Sequence, residues 1–420
     1  MSVDTYAPIF IVEIDGKELP EDISSHVERF VYDDDDEKMD ELRLSIADSD
    51  MTFIDNEQLQ EGKEVKARWG YLGNMSETRT FTIKEINYSF GQDRVARMEI
   101  TALDKGHKLT GRAARTCWNN KKITDVVKDI ASKHNLTPNI DIPEDIQLEF
   151  ISQGGKSDWI FLKELANDTG CLFWVSNSEL HFEPDKETEP VYKFAWGKDS
   201  DGYLQSLRIT SNAEKGKGAT RGTESAGLNP LTKKKIKATG AAQSSGSKST
   251  VKVALGDTPI SEDTSGGNSL ADNKISGETA LNANNDEAGS VKATPAATEA
   301  AAARFNKGRV TKGAMKSITA SAVTIGLPYL KAKDTITIEN IGKKFSGDWR
   351  IKKVAHVISK SNYTCSLTLA RSNSGGNGGG DKKANSAPKA SSSNNAKPAG
   401  QIKNNSGGSK KPPTVKVDLN

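Results

Sequence analysis

The aromatic residues of this chain occupy only part of its length, and this uneven distribution limits where a hydrophobic core can form. No Phe, Trp or Tyr lies between Tyr203 and Phe305, and none follows Tyr363. Both stretches are rich in Gly, Ser, Asn, Thr, Ala and Lys, so they bury too little apolar surface to offset the entropy of ordering the chain. We therefore predict a folded body over 1–211 and 294–371, a low-complexity insertion over 212–293 and a flexible tail over 372–420.

The overall composition excludes several classes of protein. With 58 Lys and Arg against 56 Asp and Glu, the net charge is +2, so neither a globally basic nucleic-acid binder nor a globally acidic chain is expected. No run approaches the roughly 20 apolar residues that span a bilayer, and the N-terminus lacks the pattern of a secretion signal. Cys117, Cys171 and Cys365 are too scattered for a disulfide framework or a zinc cluster. These features indicate a chain made in a reducing cytoplasm, without a membrane span.

Acidic residues are concentrated near the N-terminus. Residues 1–60 hold eighteen Asp and Glu against four Lys and Arg, whereas 372–420 hold eight Lys and two Asp. The acidic maximum, Asp33–Glu37, is interpreted as a solvated loop between strands, because runs of like charge usually face water. A metal site is less favoured, since consecutive carboxylates cannot all reach one ion without a defined turn.

The first part of the folded body alternates apolar and polar residues with a period of two, which is typical of β-strands. Phe10–Ile14 alternates in this way and precedes Asp15–Gly16, a dipeptide that favours a tight hairpin turn. Within Phe81–Phe90 the apolar phase changes, which predicts a β-bulge. Several strands at this spacing predict a first tube-like β-barrel domain over residues 1–117.

The middle of the chain, residues 118–189, has the signals of a small α+β module. One predicted helix carries an apolar stripe within Val126–Ala131 and is capped by Thr124. A second is predicted to start at Ser157 or Asp158 and to end at Gly170, which suits the left-handed position after a helix. Two apolar segments flanking Ser-Asn-Ser-Glu then predict a hairpin, Cys171–Val175 and Leu180–Phe182.

The final part of the folded body returns to strands. Within the insertion only Val251–Leu255 alternates like a strand, and Thr294–Pro295 then opens an Ala-rich helix that Gly308 closes. Strict alternation around Cys365 places its thiol in an apolar row, where an inert side chain is expected. A second tube-like β-barrel domain is predicted over 190–211 and 294–371. The fold class is thus mixed α+β, mainly β, with two barrels around the module.

The sequence contains no convincing catalytic constellation. The five histidines are far apart and form no H-x-x-H or H-E-x-x-H pattern: His26, His107, His134, His181 and His356. A G-x-S-x-G motif, a P-loop and a Cys-x-x-Cys pair are all missing. His134 is interpreted as a helix-end residue, and the neighbours Asp104 and His107 as a strand exit. We therefore predict no enzyme and no catalytic, cofactor-binding or metal-binding residue.

One strand could be mistaken for a nucleic-acid surface. Trp69 and Tyr71 lie beside Lys66 and Arg68, and Tyr88 lies further along, which is a combination found on oligonucleotide-binding barrels. The alternation, however, puts Trp69 with the apolar residues and the basic residues on the other face. We interpret the segment as an ordinary barrel strand with one wet side.

Several sequence pieces, taken in order, resemble one known family. These pieces are Tyr6–Gly16, Met39–Asp48, Glu61–Gly62 leading to Arg68–Gly73, Ile123–Val127 with Ile130–Ala131, Ser157–Ala166 running into Gly170–Phe173, and Gly347–Ile351 with Val354–Val357. Together they cover most of 6–211 and 294–371. In this order and spacing they resemble the baseplate hub proteins of contractile tails, the late-control protein D family of phages.

The resemblance implies a structural role. Such hubs are homotrimeric rings in which each subunit carries two tube-like barrels, so that six similar barrels match a six-fold tail tube and the other side holds a three-fold spike. The implied partners are the tail tube protein, the spike protein and baseplate wedge components. The implied location is the tail baseplate of the virion, with assembly in the host bacterial cytoplasm. The machine is a phage tail, a bacteriocin or a secreted injection device.

Two features depart from that family, namely the long insertion and a terminal tail with no fused spike, which imply a separate spike protein. DNA is expected to pass through the lumen without specific binding, so the lumen wall should be neutral or acidic, with residues 1–60 as the candidate source of charge.

Two other functions remain open. One is a cell-wall-binding module of a lytic enzyme, and the other is a peptidoglycan hydrolase that would need a carboxylate pair in a cleft.

Overall fold

The computed structural model describes most of the folded body and parts of the insertion. The described residues are 7–92, 95–142, 145, 147–184, 188–197, 203–211, 223–228, 235–245, 248–255, 290–293, 318–360 and 362–371. They form 23 β-strands, three α-helices and one 3₁₀ helix, and most strand pairs are antiparallel. The chain is therefore mainly β, as predicted.

The N-terminal part consists almost entirely of strands. Its elements are β1 (Pro8–Ile14), β2 (Lys17–Glu18), α1 (Glu21–Ser24), β3 (Val27–Asp35), β4 (Glu41–Asp48), β5 (Glu64–Tyr71), β6 (Asn74–Met75), β7 (Arg79–Phe90) and β8 (Ala96–Leu103). Asp15 and Gly16 turn the chain between β1 and β2 with φ values of 50° and 76°, as an Asp-Gly dipeptide favours. The β7–β8 pair shifts register between Ile83 and Glu85, which confirms the predicted bulge.

The α+β module follows β8. Its elements are a 3₁₀ helix (Lys105–Thr110), β9 (Cys117–Lys122), α2 (Ile123–Lys133), β10 (Thr137–Ile140), β11 (Gln147–Ser152), α3 (Asp158–Thr169), β12 (Cys171–Ser176) and β13 (Glu179–Pro184). Strands β10, β13 and β12 form one sheet, and β9 pairs with β11. Apolar side chains of both helices pack with β12 and β13 into a core separate from that of the main sheet. The predicted hairpin is confirmed as β12–β13.

The two helices of the module begin in different ways. Lys122 is the N-cap of α2, so the prediction of a cap at Thr124 is wrong. The Asp125 carboxylate accepts the Lys122 backbone N–H at 3.4 Å, and this closes the first turn two residues earlier than predicted. In contrast, α3 has Ser157 as its N-cap and Gly170 after it with φ 71°, both as predicted.

The remaining strands belong to the insertion and to the C-terminal part. They are β14 (Tyr192–Ala195), β15 (Leu204–Ser211), β16 (Thr223–Leu228), β17 (Lys235–Ser245), β18 (Lys248–Leu255), β19 (Ser290–Ala293), β20 (Ile318–Ile325), β21 (Thr335–Glu339), β22 (Gly347–Ser359) and β23 (Asn362–Arg371). Strands β16–β19 form their own sheet in the order β18-β17-β16-β19. The sequence pattern predicts a single strand in the low-complexity insertion, and that segment lies in β18. The insertion thus contains more strands than predicted. Strand β17 is rich in Ala, Gly and Ser, so its pattern carries no apolar alternation.

One sheet runs through both strand-rich regions of the chain. Its order is β15-β20-β23-β22-β3-β4-β8-β7-β5-β1-β2. The two regions meet where β22 pairs with β3, residues Lys353–Ser359 lying antiparallel to Arg29–Asp35. Apolar side chains from both regions also share one core, in which Phe30, Trp69 and Trp349 are buried. This junction is not visible in the sequence pattern.

Some predictions concern residues outside those described. They are the Ala-rich helix from Thr294–Pro295 to Gly308 and the tail over 372–420. The domain boundaries drawn from the sequence remain predictions. Among the helices that are described, none has the length and apolar character needed to cross a bilayer.

Close packing at Gly326 provides a test of the shared core. A Cβ added at Gly326 would lie 2.0 Å from Cδ1 of Tyr363, whose hydroxyl contacts the buried His356 at 2.8 Å and so restrains the ring. We expect Gly326→Ala to lower the free energy of unfolding by about 1–3 kcal/mol in chemical denaturation. Gly111→Ala is the control, because the nearest atom to its added Cβ is 3.6 Å away. Equal losses in the two variants would contradict the packing at Gly326.

Candidate functional site: a buried charge network

The acidic run lies in β3 and immediately after it. Asp33, Asp34 and Asp36 are buried, with exposed fractions of 8%, 4% and 9%. The prediction of a solvated loop is therefore wrong for these three residues, although Glu37 is exposed. The reason is tertiary, because β22 pairs with β3 along this stretch and removes from water the carboxylates that a free loop would expose.

Lysines from the C-terminal part compensate the buried carboxylates. The three ion pairs are Lys333 Nζ to Asp34 Oδ1 at 3.4 Å, Lys352 Nζ to Asp36 Oδ2 at 2.6 Å, and Lys353 Nζ to Asp33 Oδ2 at 3.1 Å. The Ala332 backbone N–H also donates to Asp34 Oδ2 at 3.0 Å. Buried carboxylates are tolerated when they are paired and hydrogen-bonded in this way. The network therefore links residues about 300 positions apart in the sequence.

Two further carboxyl groups adjoin these pairs, the half-buried Asp40 and the buried Asp104. The Tyr32 hydroxyl donates to Asp40 Oδ2 at 2.7 Å, and the Asp40 backbone N–H donates to Asp104 Oδ2 at 3.2 Å. Burial, together with the charges of Asp34 and Asp104, raises the pKa of Asp40 well above its usual range. Burial also raises the pKa of Asp104 to about 7. Asp104 therefore holds a proton at mildly acidic pH, which limits the negative charge that the network must compensate.

The cation at the centre of the network is Lys333. Burial lowers its pKa, but the charges of Asp34 and Asp40 outweigh burial and raise the pKa above its usual value. Its ammonium group also lies 5.2 Å from the ring centroid of Trp174 in β12, a distance at which a cation is attracted to an aromatic face. Lys333 therefore contacts the acidic strand and the α+β module at the same time.

The module makes further polar contacts with the main sheet. Lys163 of α3 donates to the Glu37 carbonyl at 2.6 Å. At the β12–β13 turn, Arg79 donates to Ser176 Oγ, and the Thr80 backbone N–H donates to Asn177 Oδ1 at 3.1 Å. The network is therefore the place where the N-terminal strands, the C-terminal strands and the module are joined.

A buried cysteine and histidine lie close together behind this network. Cys365 Sγ is 3.3 Å from His356 Nδ1, and both side chains are inaccessible to solvent. Burial raises the pKa of Cys365 to about 12 and lowers the pKa of His356 to about 4. Both groups are therefore neutral near pH 7, so no thiolate nucleophile forms here. Cys365 lies in the apolar row of β23, as predicted.

The other histidines make separate local contacts. Nε2 of His134, at the end of α2, lies 2.6 Å from Asp158 Oδ2. The His181 ring stacks on Trp174 with centroids 4.6 Å apart, and His107 Nδ1 lies 2.7 Å from the carbonyl oxygen of Asp104 just beyond β8. Within the described part of the chain, no group of three His, Cys, Asp or Glu residues is placed to hold a metal ion.

Two of the three aromatic side chains considered for nucleic-acid stacking are not accessible. Trp69 and Tyr71 are buried, with exposed fractions of 2% and 4%. Trp69 packs against Tyr32 with ring centroids 4.4 Å apart, whereas Arg68 is exposed. The prediction that Trp69 belongs to the apolar row is confirmed, and the basic side chain lies on the opposite face.

No sequence pattern marks the lysines of the network. Lys333, Lys352 and Lys353 lie in two separate segments of the C-terminal part. The available signal was charge complementarity between these lysines and Asp33–Glu37. It becomes meaningful only once the two segments are known to be neighbours.

The fold is shared with solved tail proteins. The chain aligns over 87% of its length with a tail protein from Neisseria meningitidis MC58, covering 97% of that chain at a TM-score of 0.58 and 14% identity. It also aligns over 87% of its length with the 43 kDa tail protein of prophage MuSo2 from Shewanella oneidensis. This alignment covers 98% of that chain, with a TM-score of 0.59 and 12% sequence identity. A third match is the E. coli c3393 protein, a type VI secretion component structurally similar to bacteriophage T4 tail proteins gp27 and gp5, with 87% and 78% coverage, a TM-score of 0.51 and 11% identity. At these identities the likeness is one of fold.

A family model also matches the chain. Residues 6–246, more than half of the sequence, match the family described as the Alg8 N-terminal domain. The matching model is not that of the late-control protein D family, which the sequence resembles. No curated protein sequence matches the chain.

The Lys333–Asp34 pair gives a direct test of the network. Lys333→Met should leave the buried Asp34 carboxylate without its cation, so we expect a loss of about 3–5 kcal/mol in the free energy of unfolding. The measurement is chemical denaturation at pH 7. Lys343→Met is the matched control, since Lys343 is exposed and its replacement should change stability by less than about 0.5 kcal/mol. A Lys333 variant as stable as the control would refute the role given to this pair.

Raising the pH is expected to weaken the fold through Asp104. Because its folded pKa is about 7, above the usual value near 4, the folded chain retains a proton that the unfolded chain has released. Stability present below pH 4 is therefore lost as the pH rises through 7. Between pH 5 and pH 8 we expect deprotonation of this group to lower the free energy of unfolding by on the order of 2 kcal/mol.

The variant Asp104→Asn should abolish that part of the pH dependence, because an amide does not titrate and still accepts a hydrogen bond. Denaturation curves at pH 5, 6, 7 and 8 measure the slope for the wild type, for this variant and for Asp50→Asn, an exposed control. Identical slopes in all three proteins would rule out Asp104 as the titrating group.

Proposed function

Because this chain belongs to the Alg8 N-terminal domain family and has the fold of phage tail proteins, we propose that it is a structural baseplate hub of a contractile tail or related injection machine. The observation that carries the proposal is the agreement in fold over 87% of the chain with tail proteins from two bacteria. The ordered resemblance of its sequence pieces to the late-control protein D family supports the same role.

In this proposal the hub is a homotrimeric ring. Each copy contributes two tube-like β-barrel domains, one over residues 1–117 and one over 190–211 and 294–371, so that three copies present six similar surfaces to a six-fold tail tube. The continuous β22–β3 junction supports this arrangement, because it holds the two domains of one copy in a fixed relation. The opposite side of the ring would hold the three-fold spike.

The proposed partners follow from that position. They are the tail tube protein, the spike protein and the surrounding wedge components, and the proposed location is the baseplate of the virion. DNA would pass through the lumen without specific contacts. The acidic run of β3 is paired with lysines, so a neutral or acidic lumen wall would need other carboxylates from residues 1–60, such as the exposed Glu18, Glu21 and Asp22.

We propose no enzymatic activity for the chain. The buried Cys365–His356 contact is inaccessible and neutral, and it therefore lacks the properties of a catalytic dyad. A peptidoglycan hydrolase would release soluble fragments from purified cell walls, and a wall-binding module would sediment with them. The hub proposal expects neither result.

Electron microscopy of the purified full chain tests the hub proposal directly. We expect ring-shaped particles with three-fold symmetry and a central opening, and a mass of three chains in solution. The same protein should co-purify with a tail tube protein and with a spike protein. Particles without rotational symmetry, combined with retention on insoluble cell walls, would favour the wall-binding alternative.

Truncation after Ser372 provides a second test. The removed residues contain eight Lys, no aromatic residue and long Gly and Ser runs, so their loss should expose no core. We expect ring formation and the melting temperature to stay nearly unchanged, while co-purification with one baseplate neighbour weakens. The spike is the preferred candidate for that neighbour, and the surrounding wedge complex is the alternative. A collapsed melting curve would show that the folded body extends beyond Arg371.

A further inference from the structure

The distal half of β7 has an open edge. Strand β5 pairs with Arg79–Thr82, and the loop before β5 bonds to the backbone of Ile83. Beyond that point, Lys84–Phe90 pairs with β8 alone among the described residues. Tyr88 and Phe90 in this half are 41% and 65% exposed. A strand edge with free backbone groups and exposed apolar side chains is a site at which another strand can add.

A second open edge lies at the other end of the same sheet. Strand β15 is the terminal strand of the path, and among the described residues it pairs with β20 only. Leu207 and Ile209 are half-buried at the margin of the core, and Arg208 between them is exposed. The edge from Gln205 to Ser211 has the same length as the open edge of β7.

The directions of the two edges are complementary. From β15 to β7 the path contains eight strands, and each is antiparallel to its neighbours. An even number of alternating strands makes β15 and β7 run in opposite directions. In a cyclic ring every copy has the same direction along the axis, so β7 of one copy would meet β15 of the next in an antiparallel pair. An odd number of strands would have produced a parallel one.

The faces of the two edges also agree. Residues that pair directly across neighbouring strands can be followed from each edge to β22. From β15 this row is Leu207, Ala322, Leu367 and Val354. From β7 it is Ile86, Ile100, Leu44, Phe30 and Ile358. Val354 and Ile358 are four residues apart on β22 and therefore point to the same face. Leu207 and Ile86 thus lie on the buried face at opposite ends of the sheet. On the other face, the two edges carry exposed groups of opposite charge, Glu85 and Arg208.

We propose that Lys84–Phe90 of one copy pairs antiparallel with Gln205–Ser211 of the next copy, so that the main sheet continues from copy to copy. The proposal rests on the homotrimeric ring proposed above and names the surfaces that close it. Ile86 and Tyr88 pack against Leu207 and Ile209 of the neighbour. Glu85 of one copy and Arg208 of the next lie either directly opposite or diagonal to each other, so their side chains can interact as a cross-strand pair. The contact joins unlike surfaces, as ring closure requires.

The first test places a charge on the β7 edge. Phe90→Glu should raise the dissociation constant of the assembly at least tenfold, equivalent to about 1.4 kcal/mol, as measured by light scattering over a concentration series. Phe150→Glu is the matched control, since Phe150 is 53% exposed but lies in β11 of the module, away from both edges. Circular dichroism melting curves check that both variants are folded. If Phe90→Glu assembles like the control, the edge proposal is wrong.

The second test uses the charge pair, which does not depend on a change in hydrophobicity. Glu85→Arg and Arg208→Glu should each weaken assembly, because like charges then meet across the contact. The double variant Glu85→Arg with Arg208→Glu should recover most of the wild-type affinity. Additive weakening in the double variant would overturn the proposed pairing, since it would show that the two residues do not meet.

The two proposals fail in distinguishable ways. A wild-type protein that is monomeric at all concentrations would overturn both the ring and the edge contact. A trimeric wild type whose edge variants are equally trimeric would leave the ring in place and remove the edge contact from it.

Discussion

The pairing of β3 with β22 is the contact on which the rest of the structure depends. It joins the N-terminal and C-terminal strands into one sheet and buries Asp33, Asp34 and Asp36 at the same time. Carboxylates in such a position cost several kcal/mol each unless cations and hydrogen-bond donors meet them. The lysines of the C-terminal part meet that requirement, so the sheet junction and the charge network require each other.

The network also fixes the α+β module and makes the fold sensitive to protons. Lys333 lies between Asp34 and the Trp174 ring of the module. At the end of β8, Asp104 Oδ1 accepts a hydrogen bond from the Gly106 backbone N–H of the 3₁₀ helix at 2.7 Å. Because the raised pKa values of Asp40 and Asp104 arise mainly from burial, they reflect how completely three parts of the chain exclude water from one place. The N-terminal strands, the C-terminal strands and the module therefore all contribute side chains to one charge network.

A rigid junction of this kind suits the proposed role in a ring. A hub that links six-fold and three-fold neighbours has to keep the two halves of each copy in a fixed geometry, and a continuous antiparallel sheet does so through backbone hydrogen bonds that do not depend on particular side chains. The same sheet leaves β7 and β15 with open edges of opposite direction. Assembly through those edges would extend between copies the type of contact that already joins the two halves within one copy.

The sequence by itself determined much of the local structure of this protein. Alternation placed the strands, the phase change within Phe81–Phe90 located a bulge, and Ser157 and Gly170 marked the ends of α3, because each of these signals acts within a few residues. Only the tertiary structure decided what pairs with β3, and therefore whether its aspartates are solvated or buried. Their partner Lys333 is about 300 residues away, and burial of a charge depends on which distant segments exclude water from it. The joined sheet and the charge network required the fold for that reason.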